Sequence, residues 1–156
     1  MNTEVMFSSK KDDWETPQTL FDKMNAIYNF SYDLAASDDN AKCEHYFTKE
    51  NDSLSTDWTK IKGNLWLNPP YGRDLRKWVQ KAYESSLERQ GVIVMLIPSR
   101  TDTSYWHDFI FNKAKIDFLR GRLKFEVGGG SWTISTISKR HYNFWLKGEL
   151  TCFTHC

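Results

Sequence analysis

The sequence predicts an open α/β fold with a mostly parallel sheet, and three observations carry that expectation. Segments of strand character alternate with amphipathic helical stretches from about residue 17 onward. Val92 to Ile97 is an unbroken apolar run of strand length, as in strands covered by helices on both faces. Leu65-Trp66-Leu67 leads straight into Asn68-Pro69-Pro70-Tyr71-Gly72. Two prolines cannot continue a central strand, so that turn belongs at the strand's carboxyl end.

Taken in order, a polar tail over 1–12 is followed by Thr16-Pro17, a helix-start pair: Thr caps free amides and Pro fits the first helical position. The apolar spacing Leu20, Met24, Ile27, Tyr28 predicts a helix over 17–28. Phe30-Ser31-Tyr32 alternates and stops at Asp33, which opens the small-residue loop Leu34-Ala35-Ala36-Ser37. His45 to Thr48 is a second, weaker strand. From Asp74, the residues Leu75, Trp78, Val79, Ala82, Ser86 and Leu87 form a helical stripe that Gly91 closes. Pro98 breaks the buried run. Tyr105, Trp106, Phe109 and Ile110 suggest a further short helix, and Ile116–Leu119 and Leu123–Phe125 suggest strands. Beyond Gly130, TISTIS and YNFWL are candidates for terminal strands.

With 156 residues, one compact domain is the expectation, without a separate recognition domain. The chain is 40% apolar and 15% aromatic with seven Trp, enough to fill an interior, and Trp14 and Trp58 are read as core. No apolar run suits a bilayer and MNTEVMFSSKKDD lacks a signal peptide's apolar stretch, so a cytoplasmic protein is expected. Cys43, Cys152 and Cys156 are odd in number and lack zinc-ligand spacing, so free thiols and no metal are expected. A net charge of only +1 confines any nucleic-acid footprint to local clusters. One comprises Arg73, Arg76, Lys77 and Lys81; the other comprises Arg100, Lys113, Lys115, Arg120, Arg122 and Lys124. Solvated helix faces and strand ends explain such residues equally well.

The Asn-Pro-Pro-Tyr turn carries the chemistry. In an open α/β sheet, ligands bind outside the carboxyl ends of the strands. An amino group on a conjugated ring is a poor nucleophile because its lone pair is delocalised. Acceptors held against its two hydrogens draw electron density onto nitrogen, and Asn68 offers a side-chain oxygen while Pro69 fixes a backbone carbonyl. Tyr71 suits stacking on a base that has left the duplex. A tight turn after an edge strand is the plain alternative, and the same four residues also serve methylation of nitrogens in proteins and RNA.

On these residues the chain resembles the phage-type DNA N-6-adenine-methyltransferase family. The resemblance runs from about Asp13 to Phe125, through DWETPQTLFDKM, YDLAAS, NDSL, DW, LWLNPPYG, VIVMLIPSR and FLRGRLKF. It implies a Rossmann-like class I S-adenosylmethionine-dependent methyltransferase fold over 13–127, and transfer of methyl to the 6-amino group of adenine in double-stranded DNA, with GATC the first site to test. The resemblance places Thr16-Pro17 over the methionine end of the cofactor and puts Asp33, Ala35 and Ser37 in the first strand-loop motif. It assigns Asp52-Ser53 to the acidic motif that accepts from the cofactor's adenine amine. Pro98 and GRLKF would build the base-side wall, with Arg100, Arg120 and Arg122 toward phosphate or base. The loop after Asp33 departs from the wider pattern in lacking Gly-x-Gly character. Residues 128–156 lack the apolar closing strand the family leads one to expect. A monomer or weak dimer is expected. The competing expectations are a methyltransferase acting on RNA or a protein glutamine, and a catalytically silent nucleic-acid-binding relative.

Overall fold

A computed structural model describes residues 15–119 and, in the backbone, 149–155. Its helices are α1 (Gln18–Tyr28) and α2 (Leu75–Glu88). Its strands are β1 (Phe30–Asp33), β2 (His45–Tyr46), β3 (Asn64–Leu67), β4 (Val92–Pro98), β5 (Lys115–Phe118) and β6 (Glu149–His155). Short helical turns at Ser53–Ser55, Trp58–Lys60 and Trp106–Ile110 complete the described elements. The sheet runs β2-β1-β3-β4-β6-β5, with every pairing parallel.

Alternation along β3 and β4 decides which helix covers which face. Leu65 and Leu67 join Ile93, Met95 and Ile97 on one side and pack against Leu75, Val79 and Ala82 of α2. Trp66, Val94 and Leu96 point the other way, onto Phe21 of α1 and Phe30. Both layers are therefore covered, and residues 93–97 are fully buried, as the apolar run predicts. The Trp66 ring meets Phe21 edge-on at 5.5 Å.

The amino end of the sheet is tied by polar groups. Arg89, 1% exposed at the end of α2, donates to the carbonyls of Ile61 (2.8 Å) and Gly63 (2.7 Å), with longer contacts to Trp58 and Val92. Asn64 accepts from the Val92 amide at 2.8 Å and donates to the Tyr28 carbonyl. Gly63 (φ +83°) and Gly91 (φ +85°) lie so close that a Cβ on Gly91 would sit 2.7 Å from the Gly63 oxygen.

Two local expectations change. Pro17, not Thr16, occupies the helix cap, and no side chain caps α1; the Pro17 carbonyl accepts from Leu20 and Phe21 instead. β4 ends at Pro98, in register with His155, as the break in the apolar run predicts. The second change is at the C-terminus: Glu149–His155, within the 128–156 segment read as lacking a closing strand, is a strand of the sheet between β4 and β5; TISTIS, YNFWL, Leu123–Phe125, Gly130 and Trp14 fall outside the described residues.

Candidate active site

The chain leaves β1 outward to β2, then returns to build β3 and β4 on the other side. Strand order reverses between β1 and β3, and connections diverging there leave a crevice at the carboxyl ends. A cavity of about 510 Å³ occupies this point. Thr16, Asp33, Ala35, Ser37, Asp52, Ser53, Asn68, Pro69 and Pro70 all line it. Residues named from four separate stretches of sequence thus share one space. Pro17 and Tyr71 are not among its lining residues.

The β1–β2 loop is organised by Asp33, 2% exposed, whose carboxyl accepts from the amides of Ala35 (3.2 Å) and Lys42 (3.1 Å). Burial outweighs those hydrogen bonds and the nearby Lys42 charge, and pushes the carboxyl from the usual 3.8 up to about 7. Three neighbouring amides at the start of the loop are also used internally: Leu34 donates to Trp66 O (2.9 Å), Ala36 to Phe47 O (2.8 Å) and Ser37 to Asn40 Oδ1 (2.7 Å). Residues 34–37, directly after β1, therefore offer a phosphate no free cradle of N–H groups, unlike a glycine-rich dinucleotide loop. Cys43, in the same loop, is a free thiol pushed up to about 12 by burial and by Asp33, and it stays protonated.

Beyond β2, Asp52 adopts the left-handed conformation (φ 43°) and is exposed; its carboxylate has no hydrogen-bond partner among the described residues. The turn it begins is fastened from below, because the fully buried Trp58 indole donates to the Ser53 carbonyl at 2.9 Å. Trp58 is core, as its composition suggests, and through that bond it also shapes the cavity wall.

At the end of β3, Pro69 is buried and Asn68 half-buried. The Tyr71 hydroxyl lies 3.2 Å from Asn68 Oδ1 and 3.3 Å from the Leu96 carbonyl, and its single hydrogen serves one of them at a time. Its ring packs against both apolar clusters. The polar tip of Tyr71 therefore turns back toward the sheet, and an amide oxygen with two lone pairs can accept from it and from a second donor.

The wall is acidic. Among the described residues Glu15, Asp33, Asp38, Asp39, Glu50, Asp52 and Asp74 line the cavity, against Lys42 and Lys49. Such a surround favours a cationic ligand over an anionic one. Glu15, Lys42 and Glu50 are contributors that sequence patterns did not single out. Lys42 reaches Glu15 across 27 positions, and no local spacing announces such a contact.

The cationic residues read as nucleic-acid contacts divide. Arg76 is engaged within the chain, 2.9 Å from Asp108, hydrogen-bonded to Ser104 and over the Phe109 ring. Lys77 pairs with Asp74 at 2.7 Å. Arg73 and Arg100 are exposed, and neither side chain has a partner among the described residues. Arg120 and Arg122 fall outside those residues.

A family model described as DNA N-6-adenine-methyltransferase (Dam) matches residues 3–154. The chain is 32% identical over 127 residues to the DNA N-6-adenine-methyltransferase of Escherichia phage T1, covering 80% of this chain and 52% of that protein. It is 33% identical over 110 residues to the DNA N-6-adenine-methyltransferase of Haemophilus phage HP1 (strain HP1c1), covering 69% of this chain and 61% of that protein. The chain thus spans between half and two thirds of the length of these relatives. No solved structure matches.

Proposed function

This chain belongs to the DNA N-6-adenine-methyltransferase (Dam) family, and from that premise we propose that it transfers a methyl group from S-adenosylmethionine to the 6-amino group of adenine in double-stranded DNA. The observation that carries the proposal is one cavity at the strand-order reversal that gathers Asn68-Pro69 with the acids of two other loops.

The cavity suits this cofactor on three counts. Its volume falls within the range of small-molecule sites, roughly 300–1,000 Å³. The amides of residues 34–37, directly after β1, are spent internally, which fits a nucleoside without phosphates. Its acid-rich wall fits a ligand carrying a positive sulfur. When bound, S-adenosylmethionine supplies an electrophilic methyl carbon on that sulfur. Asp52, exposed and without a side-chain partner among the described residues, is the acceptor we assign to the cofactor's adenine amine. Thr16 and the Asp33–Ser37 loop bound the other stretch of wall.

For the acceptor base, Asn68 Oδ1 and the Pro69 carbonyl receive the two hydrogens of the reacting amine. Both carry partial negative charge that stabilises the positive nitrogen of the transition state, in a site where little reorganisation is required. Holding the amine in line with the methyl carbon would supply the rest, and the proton that the nitrogen gives up once methylated can pass to water, so no strong base is needed. Tyr71 offers its ring to the flipped base, and Arg73 and Arg100, with Arg120 and Arg122 further along the chain, are assigned to DNA phosphates. Among the described residues no helix is long and apolar enough to cross a membrane, and we place the enzyme in the cytoplasm of its host.

Plasmid DNA incubated with the full chain and labelled S-adenosylmethionine tests the proposal. Label incorporation, with protection from enzymes blocked by adenine methylation, GATC cutters first, is the expected result. Label entering RNA or a glutamine peptide but not DNA would move the substrate. No transfer to any of the three would end the proposal.

A further inference from the structure

The cavity contains one cation shielded from water. The Lys42 side chain is 7% exposed, whereas Lys49, the other lysine on the wall, is an exposed residue. The Lys42 amide is pinned to Asp33 at 3.1 Å, which fixes where the side chain begins. Its ammonium lies 3.1 Å from Gln18 Oε1 and 3.4 Å from Glu15 Oε1. Those contacts occupy two of its three hydrogens, and the third has no partner among the described residues. A buried ammonium with a spare hydrogen costs free energy until an acceptor takes it. Beside it, Glu15 offers the opposite charge. A cation and an anion side by side complement a zwitterion.

We propose that Lys42 takes the α-carboxylate of the methionine end of the cofactor, with Glu15 facing the α-ammonium, so that the cavity selects ligands with an intact amino-acid end. This rests on the reading of the cavity as the cofactor site. Lys42 thereby fixes the end of the ligand remote from the nucleoside that Asp52 receives. Shielding strengthens such a contact, because charge-assisted hydrogen bonds gain as water is excluded.

The test is calorimetric titration of the full chain with S-adenosylhomocysteine and with its decarboxylated form, S-adenosyl-3-thiopropylamine, which lacks only the carboxylate. Wild type should bind the carboxylate-bearing ligand about tenfold or more tightly, the usual worth of a hydrogen bond between charged groups. Removing the carboxylate leaves a net cation, which the acidic wall favours, so the comparison is biased against this outcome. Lys42→Met should erase the preference while binding the decarboxylated ligand as wild type does, and Lys42→Arg should retain most of it. Equal affinities in wild type overturn the assignment, and so does a preference that survives in Lys42→Met or an equal loss for both ligands. Should Lys42→Met not fold, the wild-type comparison decides alone. Binding of neither ligand by wild type would instead bring down the cofactor reading itself.

Discussion

The two ends of the sheet use polar side chains in opposite ways. At the amino end, Arg89 is surrounded by four carbonyls and Asn64 uses both ends of its amide between α1 and β4. At the carboxyl end, Asp52 has no partner among the described residues, Lys42 keeps a spare hydrogen, and Asp33 is buried at the cost of its ordinary acidity. Groups that satisfy one another hold the fold; groups that retain capacity face the cavity. Substitutions at the two ends should therefore be told apart by what they damage.

The largest effect tests whether Asp33 belongs to the strained side of this contrast. The folded carboxyl titrates near 7 against 3.8 unfolded, a difference on the order of 4 kcal/mol at most. Between those values the folded chain holds a proton that the unfolded chain has lost. The contribution to stability is thus full below pH 4 and declines as pH rises to about 7. Urea midpoints from pH 4 to 8 should show that slope in wild type and a flatter one in Asp33→Asn; identical slopes would remove Asp33 from the account.

Next comes Arg89→Leu, which bares the Ile61 and Gly63 carbonyls and should cost roughly 3 kcal/mol of folding free energy. Chemical denaturation reads it, and a loss under about 1 kcal/mol would mean that the amino-end latch is ornamental. Asn68→Ala should do the reverse, lowering turnover roughly a hundredfold with cofactor affinity and melting temperature little changed. A marked loss of cofactor binding there would merge the two ends' roles. The smallest effect is expected of Asp52→Ala, a cofactor affinity about tenfold weaker, as for one hydrogen bond to a charged group. Unchanged affinity would take Asp52 out of the site.

Much of this was legible along the chain because period and punctuation are local. The run 92–97 announced a strand covered on both faces, and Pro69-Pro70 announced where β3 had to stop. Thr16, Asp33, Asp52 and Asn68 were named from short motifs in the order the resemblance supplies, and the fold brings them to one cavity. The features sequence missed are long-range. Arg89 meets Ile61 across 28 positions, and nothing in helix periodicity marks a buried guanidinium at the end of α2. Lys42 looks like any loop lysine until α1 folds against it. Thr16 reads as a cap by residue type, yet the chain enters α1 at Pro17 and leaves the threonine to the cavity wall. The Tyr71 hydroxyl turns toward Leu96, a contact 25 positions away that no motif encodes.

The placement of β6 ties the far end of the described chain into the interior of the sheet. β5 precedes β6 in the chain yet, among the described strands, pairs with β6 alone, since β6 lies between β4 and β5. Every described residue that lines the cavity belongs to the portion up to Trp78, alongside β1, β2 and β3. Among the described residues, β5 thus depends on a strand from later in the chain for its place in the sheet, while the cavity is lined from the earlier portion alone.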